Sequence, residues 1–272
     1  ILSSAEEVWW RIVSNHMMDM NDILVVGNTS QISRFLPISC DRISSRNIDF
    51  SSLGDYGKVF VCFAEQRTFR QESDFVGVNF DYTMSVIDRL LPKTDKIIYY
   101  STSMLWENIR TYDINDEFSY NKSNNYLVSK EMATNAMKTI DKVSIHYPCN
   151  FNSSYRPDGY LFSKLIQACR GKTVSTGSLS FRREVTHASY VADRSYHTNE
   201  SSILAPGFLV DVGKYFKDVL SEFGYGGEYL LEEVLNTKNN KNDSCHKSID
   251  TSYDYGTLLR DTVEDIQGYI SQ

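Results

Sequence analysis

The chain has 272 residues, 41% of them hydrophobic and 23% charged, so it can bury one large core, with or without a smaller appendage, and an unfolded chain is excluded. A formal net charge of −7 argues against broad contact with a nucleic-acid backbone, which takes clustered Lys and Arg, while leaving room for a small anionic ligand in a local pocket. The five cysteines, Cys40, Cys62, Cys149, Cys169 and Cys245, are odd in number and contain no CxxC, so neither a disulfide framework nor a metal site is expected, and a reducing cytoplasm fits.

In chain order, "SSAEEVWWRIVSNHMM" predicts an amphipathic N-terminal extension over residues 1–20. Ser4 and Glu7 form a capping box there, and Trp9, Ile12, Val13 and Met17 make one stripe. Four short apolar runs follow, at 22–28, 58–64, 96–102 and 142–148, each too uniformly apolar for a surface helix. Between them, 75–91 and 125–140 carry helical spacing. Strands alternating with helices predict an α/β, doubly wound parallel sheet of the Rossmann type over 21–148. Residues 149–272 are expected to form a smaller substrate-binding region interleaved with it. There the pattern gives a loop and helix over 151–174, a polar strand-like stretch over 179–195, a helix over 214–235 and a polar surface loop over 236–248. No apolar run approaches a membrane span, and the opening has no basic n-region before an apolar h-region, so no membrane is expected as a partner.

In a doubly wound sheet, ligands bind beyond the carboxyl ends of the strands. The residues at those ends are Gly27, Phe63 and Ala64, the hydroxyl run Ser101, Thr102 and Ser103, and Pro148 to Asn150. At the start of the last helix of this half, "NNYLVSKEM" places Tyr126 and Lys130 one turn apart on one face. A free phenol titrates near pH ~10, and a neighbouring cation favours its ionised form, which suits proton exchange with a substrate hydroxyl.

Taken in order, these segments resemble the extended short-chain dehydrogenase/reductase family, which includes sugar-nucleotide epimerases, dehydratases and reductases. "VNFDYT" is similar to the family's helix with its Asn, here Asn79. "STSMLW" is similar to the strand-end Ser/Thr motif, "YLVSK" to YxxxK, "HYPCNFN" to the RPxNxYG turn, and "GSLSFRREVTHASYVADRS" to the late strand that grips a substrate diphosphate. The resemblance covers about residues 22 to 200. It implies Tyr126 as acid/base, Lys130 as the group that lowers the phenol's pKa and binds the nicotinamide ribose, and Thr102, with Ser103 beside it, as hydrogen-bond donors to the reacting oxygen. NAD or NADP would be held by Gly27, Ser30, Gln31, Ile32, Arg46, Asp49, Phe63, Ala64, Asn79, Tyr126, Lys130 and Pro148. A nucleotide-linked sugar would meet Thr102, Met104, Asn150, Arg183 and His187, with an arginine fork suited to a diphosphate. The family also implies a homodimer.

The chain departs from the family in its first turn. "GNTSQIS" keeps Gly27 but has Ser30 and Ser33 where further glycines stand. "CDRISSRNIDF" offers Asp41, Arg42 and Arg46 without a clear acid at the strand end, so NAD and NADP both remain open. Ser103 and Met104 follow Thr102 in place of the acids a dehydratase uses, which leaves an epimerase or a ketoreductase acting by hydride transfer. The alternative is a non-catalytic dinucleotide-binding scaffold or sensor on the same fold.

Overall fold

The computed structural model of the protein describes residues 22–68, 70, 73–225, 231–234 and 243–272; the expected helix over 1–20 lies outside them. Its centre is a six-stranded sheet built from β1 (Ile23–Val26), β2 (Asp41–Ile43), β3 (Tyr56–Val61), β4 (Thr94–Tyr100), β5 (Val143–Pro148) and β6 (Ser202–Leu204). The spatial order is β6-β5-β4-β3-β1-β2, and every neighbouring pair is parallel. The four strands expected from the apolar runs are β1, β3, β4 and β5.

Alternate residues of each strand feed opposite layers, as a pleated strand requires. On one face Ile23, Val25, Phe60, Ile98 and Tyr100 pack with Leu165 of α4 (Leu161–Cys169), Val191 of α5 (Ala188–His197), Val219 of α6 (Val212–Glu222) and Ile266 of α7 (Tyr255–Ile270). On the other, Leu24, Val26, Val59, Val61, Ile97 and Tyr99 pack with Ile87 of α2 (Thr83–Leu90) and Ala133 of α3 (Asn125–Met137). Burial on both faces explains the unbroken apolar runs. The remaining helix, α1 (Gln31–Phe35), has only five residues, so the first crossover is a single turn closed by Pro37 just beyond it.

Two expectations for the second half are corrected. The stretch 179–195 is strand only at Arg182–Arg183 and Val185–His187; from Ala188 it is α5. His187 sets that boundary, since its Nδ1 accepts from Ser189 N at 3.3 Å as an N-cap. The helix expected over 214–235 ends at Glu222, where Gly224 takes φ 79°, and Leu231–Val234 instead pairs in parallel with Val174–Gly177. A run such as Leu231–Val234, followed by Leu235, is too short for periodicity to separate strand from helix.

One buried amide ties the two halves of the strand-end region together. Asn79 lies in a π-helical turn, Gly77–Tyr82, that leads into α2. Its Oδ1 accepts from Glu65 N at 2.7 Å, and its Nδ2 donates to Glu65 O at 3.0 Å and to Ser129 Oγ at 3.1 Å. The loop after β3 and the middle of α3 are thereby fixed to each other, and π-turns gather at such positions. Asn79→Ala leaves a buried N–H and a buried C=O unpaired. It is expected to cost about 2–6 kcal/mol at roughly 1–3 per unsatisfied group, read as a shift of the urea midpoint at unchanged slope; a shift below about 0.5 kcal/mol contradicts this role.

Candidate active site

A cavity of about 600 Å³ opens beyond the carboxyl ends of β1, β3, β4 and β5, at the point where the chain steps from β1 in one direction to β2 and in the other to β3. Its wall contains thirteen of the residues singled out from the sequence: Gly27, Ser30, Gln31, Ile32, Arg46, Phe63, Ala64, Thr102, Met104, Tyr126, Lys130, Pro148 and Asn150. Asp49, Asn79, Ser103, Arg183 and His187 are not on it.

The β1 turn is glycine for two reasons. Gly27 has φ 98°, and a Cβ there would lie 3.1 Å from the carbonyl carbon of Cys62 and 3.2 Å from Phe63 Cβ. The serines that replace the later glycines are accommodated by local hydrogen bonds. Ser30 caps α1, accepting from Ser33 N at 3.1 Å, and the buried Ser33 donates its hydroxyl to Ser30 O at 2.8 Å. Ser30 therefore stays on the cavity wall while Ser33 packs beneath it. Arg42 is spent on the other end of α1, donating to Leu36 O at 2.7 Å, Pro37 O at 2.9 Å and also to Ser33 O. Asp41 accepts from the Tyr56 hydroxyl at 3.2 Å, and Asp49 accepts from Ser51 N at 3.0 Å. What remains on the wall after β2 is Ser44, Ser45 and Arg46, with no carboxylate among them.

At the opposite end, α3 starts on Asn124, whose side chain accepts from Tyr126 N and Leu127 N. This cap holds Tyr126 (9% exposed) and Lys130 (2% exposed) against the end of β4. Thr102 lines the same cavity as the phenol, and its hydroxyl oxygen accepts from Met104 N at 3.2 Å. The three groups read from the sequence thus converge, but the electrostatics differ from expectation. The Lys130 ammonium donates to Tyr100 O at 2.7 Å and to the Tyr99 hydroxyl at 3.4 Å, with the Tyr99 ring 5.0 Å away. It serves the last carbonyl of β4 because a buried strand end needs a donor. Burial pushes the Tyr126 phenol up to about 12, and the cation opposing that rise is Arg156, with the nearby Thr102 hydroxyl a lesser aid. Burial likewise brings Lys130 down to about 7.

The other predicted residues support the wall from behind. Arg183 donates to Asn150 Oδ1 at 3.0 Å, orienting an amide that does line the cavity. Arg182, its neighbour, faces outward to Asp243. Ser103 is buried toward Tyr112. His187 pairs with Asp265 at 3.1 Å and Ser189 at 2.8 Å, away from the cavity.

Sequence reasoning missed a second wall. Glu65 is clasped by Arg67, the Tyr160 hydroxyl donates to Gln66 O, and the Arg156 guanidinium stacks 4.0 Å over the Tyr160 ring. The signal was the stretch "YRPDGY", an arginine between aromatics before a turn, directly after the Asn150 strand end. Among the described residues no group of His, Cys, Asp or Glu is arranged to hold a metal ion, and no helix is long and apolar enough to cross a membrane.

No family model matches the sequence, and no curated protein matches it at a significant level. Solved structures do match in fold. The chain superposes on a UDP-N-acetylglucosamine 4-epimerase from Methanobrevibacter ruminantium, in complex with UDP-N-acetylmuramic acid, with TM-score 0.74 and 13% identity over 93% of this chain and 99% of the other. A UDP-glucuronic acid 4-epimerase from Bacillus cereus, in complex with UDP-glucuronic acid and NAD, gives 0.70 and 16% over 92% and 99%. RMD from Pseudomonas aeruginosa, complexed with NADPH, gives 0.69 and 13% over 91% and 100%. The fold expected from the sequence resemblance is therefore the fold of this chain.

Because Lys130 titrates near 7 when folded and near ~10.4 when unfolded, the unfolded chain binds the extra proton between those values, and stability rises with pH across that window. The thermal midpoint is expected to climb by a few degrees from about pH 7 to about pH 9.5, and Lys130→Met should flatten that climb in a pH series of melting curves. An identical slope in both proteins places the titration elsewhere.

Proposed function

We propose that this protein is a nicotinamide-dinucleotide-dependent oxidoreductase or epimerase acting on a nucleotide-linked sugar. The observation that carries the reading is the convergence of Tyr126, Thr102 and Lys130 at one end of a cavity whose other end is the Gly27 turn. The volume, about 600 Å³, is in the range of ligand and cofactor sites. NAD, NADPH and UDP-sugars in the matching structures support the same reading.

In this reading Gly27, Ser30, Gln31, Ile32 and Arg46 hold the adenosine diphosphate half of the dinucleotide, and Phe63, Ala64, Lys130 and Pro148 border the nicotinamide half. When bound, the cofactor supplies the hydride acceptor or donor. Tyr126 exchanges a proton with the sugar hydroxyl or keto oxygen, and Thr102 orients that oxygen by hydrogen bonding. A phenol raised to about 12 is a reluctant base, so the positive charge of Arg156, and any charge the bound cofactor brings, is what draws it toward working pH. Met104 and Asn150 face the sugar, and residues 149–272 supply most of its surroundings. Ser44, Ser45 and Arg46, with no acid beside them, favour a ribose 2′-phosphate and hence NADP. A cytoplasmic homodimer completes the proposal, pairing through α2, α3 and the π-turn, where Val76, Tyr82 and Met132 are exposed.

A second reading, a dinucleotide-binding scaffold without turnover, is favoured by one observation: the first crossover is reduced to five helical residues with serines in place of glycines. Fluorescence titration with NADPH and NADH, followed by turnover assays on nucleotide sugars, separates the two. NADPH is expected to saturate at several-fold lower concentration than NADH. Tyr126→Phe is expected to lower kcat by about 10³-fold with the NADPH affinity nearly unchanged. Saturable cofactor binding without turnover on any nucleotide sugar selects the scaffold, and absence of saturation removes both.

A further inference from the structure

The cavity is bridged across its reacting end. Gln66 lies in the segment after β3 and Tyr160 in the segment after β5, and both stand on the cavity wall with Thr102 and Tyr126. Strand β4 lies between β3 and β5 in the sheet, so the hydrogen bond from the Tyr160 hydroxyl to Gln66 O spans the end of β4, where Tyr126, Thr102 and Lys130 meet. Both abutments are fixed to the body of the protein. On the β3 side, Glu65 has its N–H and carbonyl on the buried Asn79 and its carboxylate on Arg67. On the β5 side, the buried Ser153 donates to Gln31 Oε1 at 3.0 Å, and Ser154 donates to Asp265 through N at 2.5 Å and through Oγ at 2.7 Å. The Tyr155 ring is covered by Arg34 at 4.7 Å. Between that anchor and the start of α4 the chain leaves the body: Pro157, Asp158 and Gly159 are exposed, and Gly159, immediately before Tyr160, takes φ 94°, a left-handed conformation that glycine adopts at little cost.

The bridging piece is a stacked pair, the Arg156 guanidinium lying 4.0 Å over the Tyr160 ring. Its closed position is incompletely satisfied, because Arg156 Nε is buried there without a hydrogen-bond partner, whereas water would meet that N–H once the pair swings out. The gain from the Tyr160 hydrogen bond and the cost of the unpaired N–H are of similar size and opposite sign, which leaves closed and open arrangements close in free energy, the condition for a switchable element. We propose that the stacked pair Arg156 and Tyr160 is a gate over the reacting end of the cavity, latched by the Tyr160 hydroxyl on Gln66 O, which parts to admit or release a dinucleotide and closes to keep water from the reacting atoms. The proposal rests on the dinucleotide reading given above for what passes the gate.

Stopped-flow fluorescence of NADPH binding to the full chain, comparing the parent with Tyr160→Phe, tests it. The phenylalanine keeps the ring under Arg156 and removes the latch, which destabilises the closed arrangement equally with and without ligand. Association and dissociation rate constants are therefore both expected to rise by roughly fivefold, the worth of one hydrogen bond, with the NADPH Kd unchanged within about twofold. A rise confined to the dissociation rate, with Kd weakened to match, makes Tyr160 an ordinary ligand contact and overturns the gate; so do rates that do not change. A second measurement needs no ligand. Hydrogen exchange of the backbone amides across 156–160 in the free protein is expected to speed up several-fold in the variant, while amides in α3 keep their protection. Exchange across 156–160 that is equal in the two proteins overturns the gate and leaves the dinucleotide reading standing. If the parent shows no saturable NADPH signal, the dinucleotide reading falls, and the exchange comparison alone decides the latch.

Discussion

The contact on which the rest of the site depends is the one from the Lys130 ammonium to the carbonyl of Tyr100, 2.7 Å long and buried. Strand β4 ends there, and its final carbonyl has left the sheet's hydrogen-bond ladder. A lysine from the opposing helix supplies the missing donor, and in doing so sets the rotation of α3 about its axis and its depth over the sheet. Tyr126, one turn earlier on that helix, is brought over Thr102, two residues beyond Tyr100. A charged side chain used in this way loses hydration, which is why its proton affinity falls. One side chain thus both anchors the helix and carries a lowered proton affinity.

Against that rigid end stands an abbreviated one. A Rossmann half usually spends a full helix between its first two strands; here five helical residues and a three-residue strand do the work, and Arg42 closes the gap by taking three carbonyls of the α1 exit. The serines at positions 30 and 33 fit because each is satisfied locally, Ser30 as the N-cap of α1 and Ser33 by donating to Ser30 O. Gly27 has no such freedom, since β3 and Phe63 leave no space for a Cβ. The turn that borders the cavity thus keeps its glycine while the helix behind it is short.

How much of this was legible in the sequence follows from what each signal encodes. The strands β1, β3, β4 and β5 were readable because strands buried on both faces are apolar at every position, a pattern that depends on no partner. The strand-end residues were readable because the fold class alone says where a ligand lies. The direction of the Lys130 side chain was not: helical spacing places Tyr126 and Lys130 on one face, but which acceptor wins the ammonium depends on a carbonyl contributed by another strand. Arg183 and His187 were read as facing a substrate, and both turned out to be oriented by neighbours distant in sequence, Asn150 and Asp265. The region after residue 150 was the least readable. Its strands are two to four residues long and pair with remote segments, so neither period nor propensity marks them.

The short parallel pair formed by Thr111–Tyr112 and Cys245–His246 has a bearing on how the chain reaches this structure. Ser244 Oγ also donates to Glu107 O at 2.7 Å, 137 positions apart along the chain, and the carboxylate of Glu184 collects Tyr112, Gly207 and His246 into one buried knot. Contacts of such separation carry a large closure entropy and form late. The strands through β5 come from residues 23–148 and can pair with one another first, whereas the knot behind Arg183 and Asn150 also needs Cys245–His246, about a hundred positions further along. Until that knot closes, the support that Arg183 gives to Asn150 on the cavity wall is incomplete.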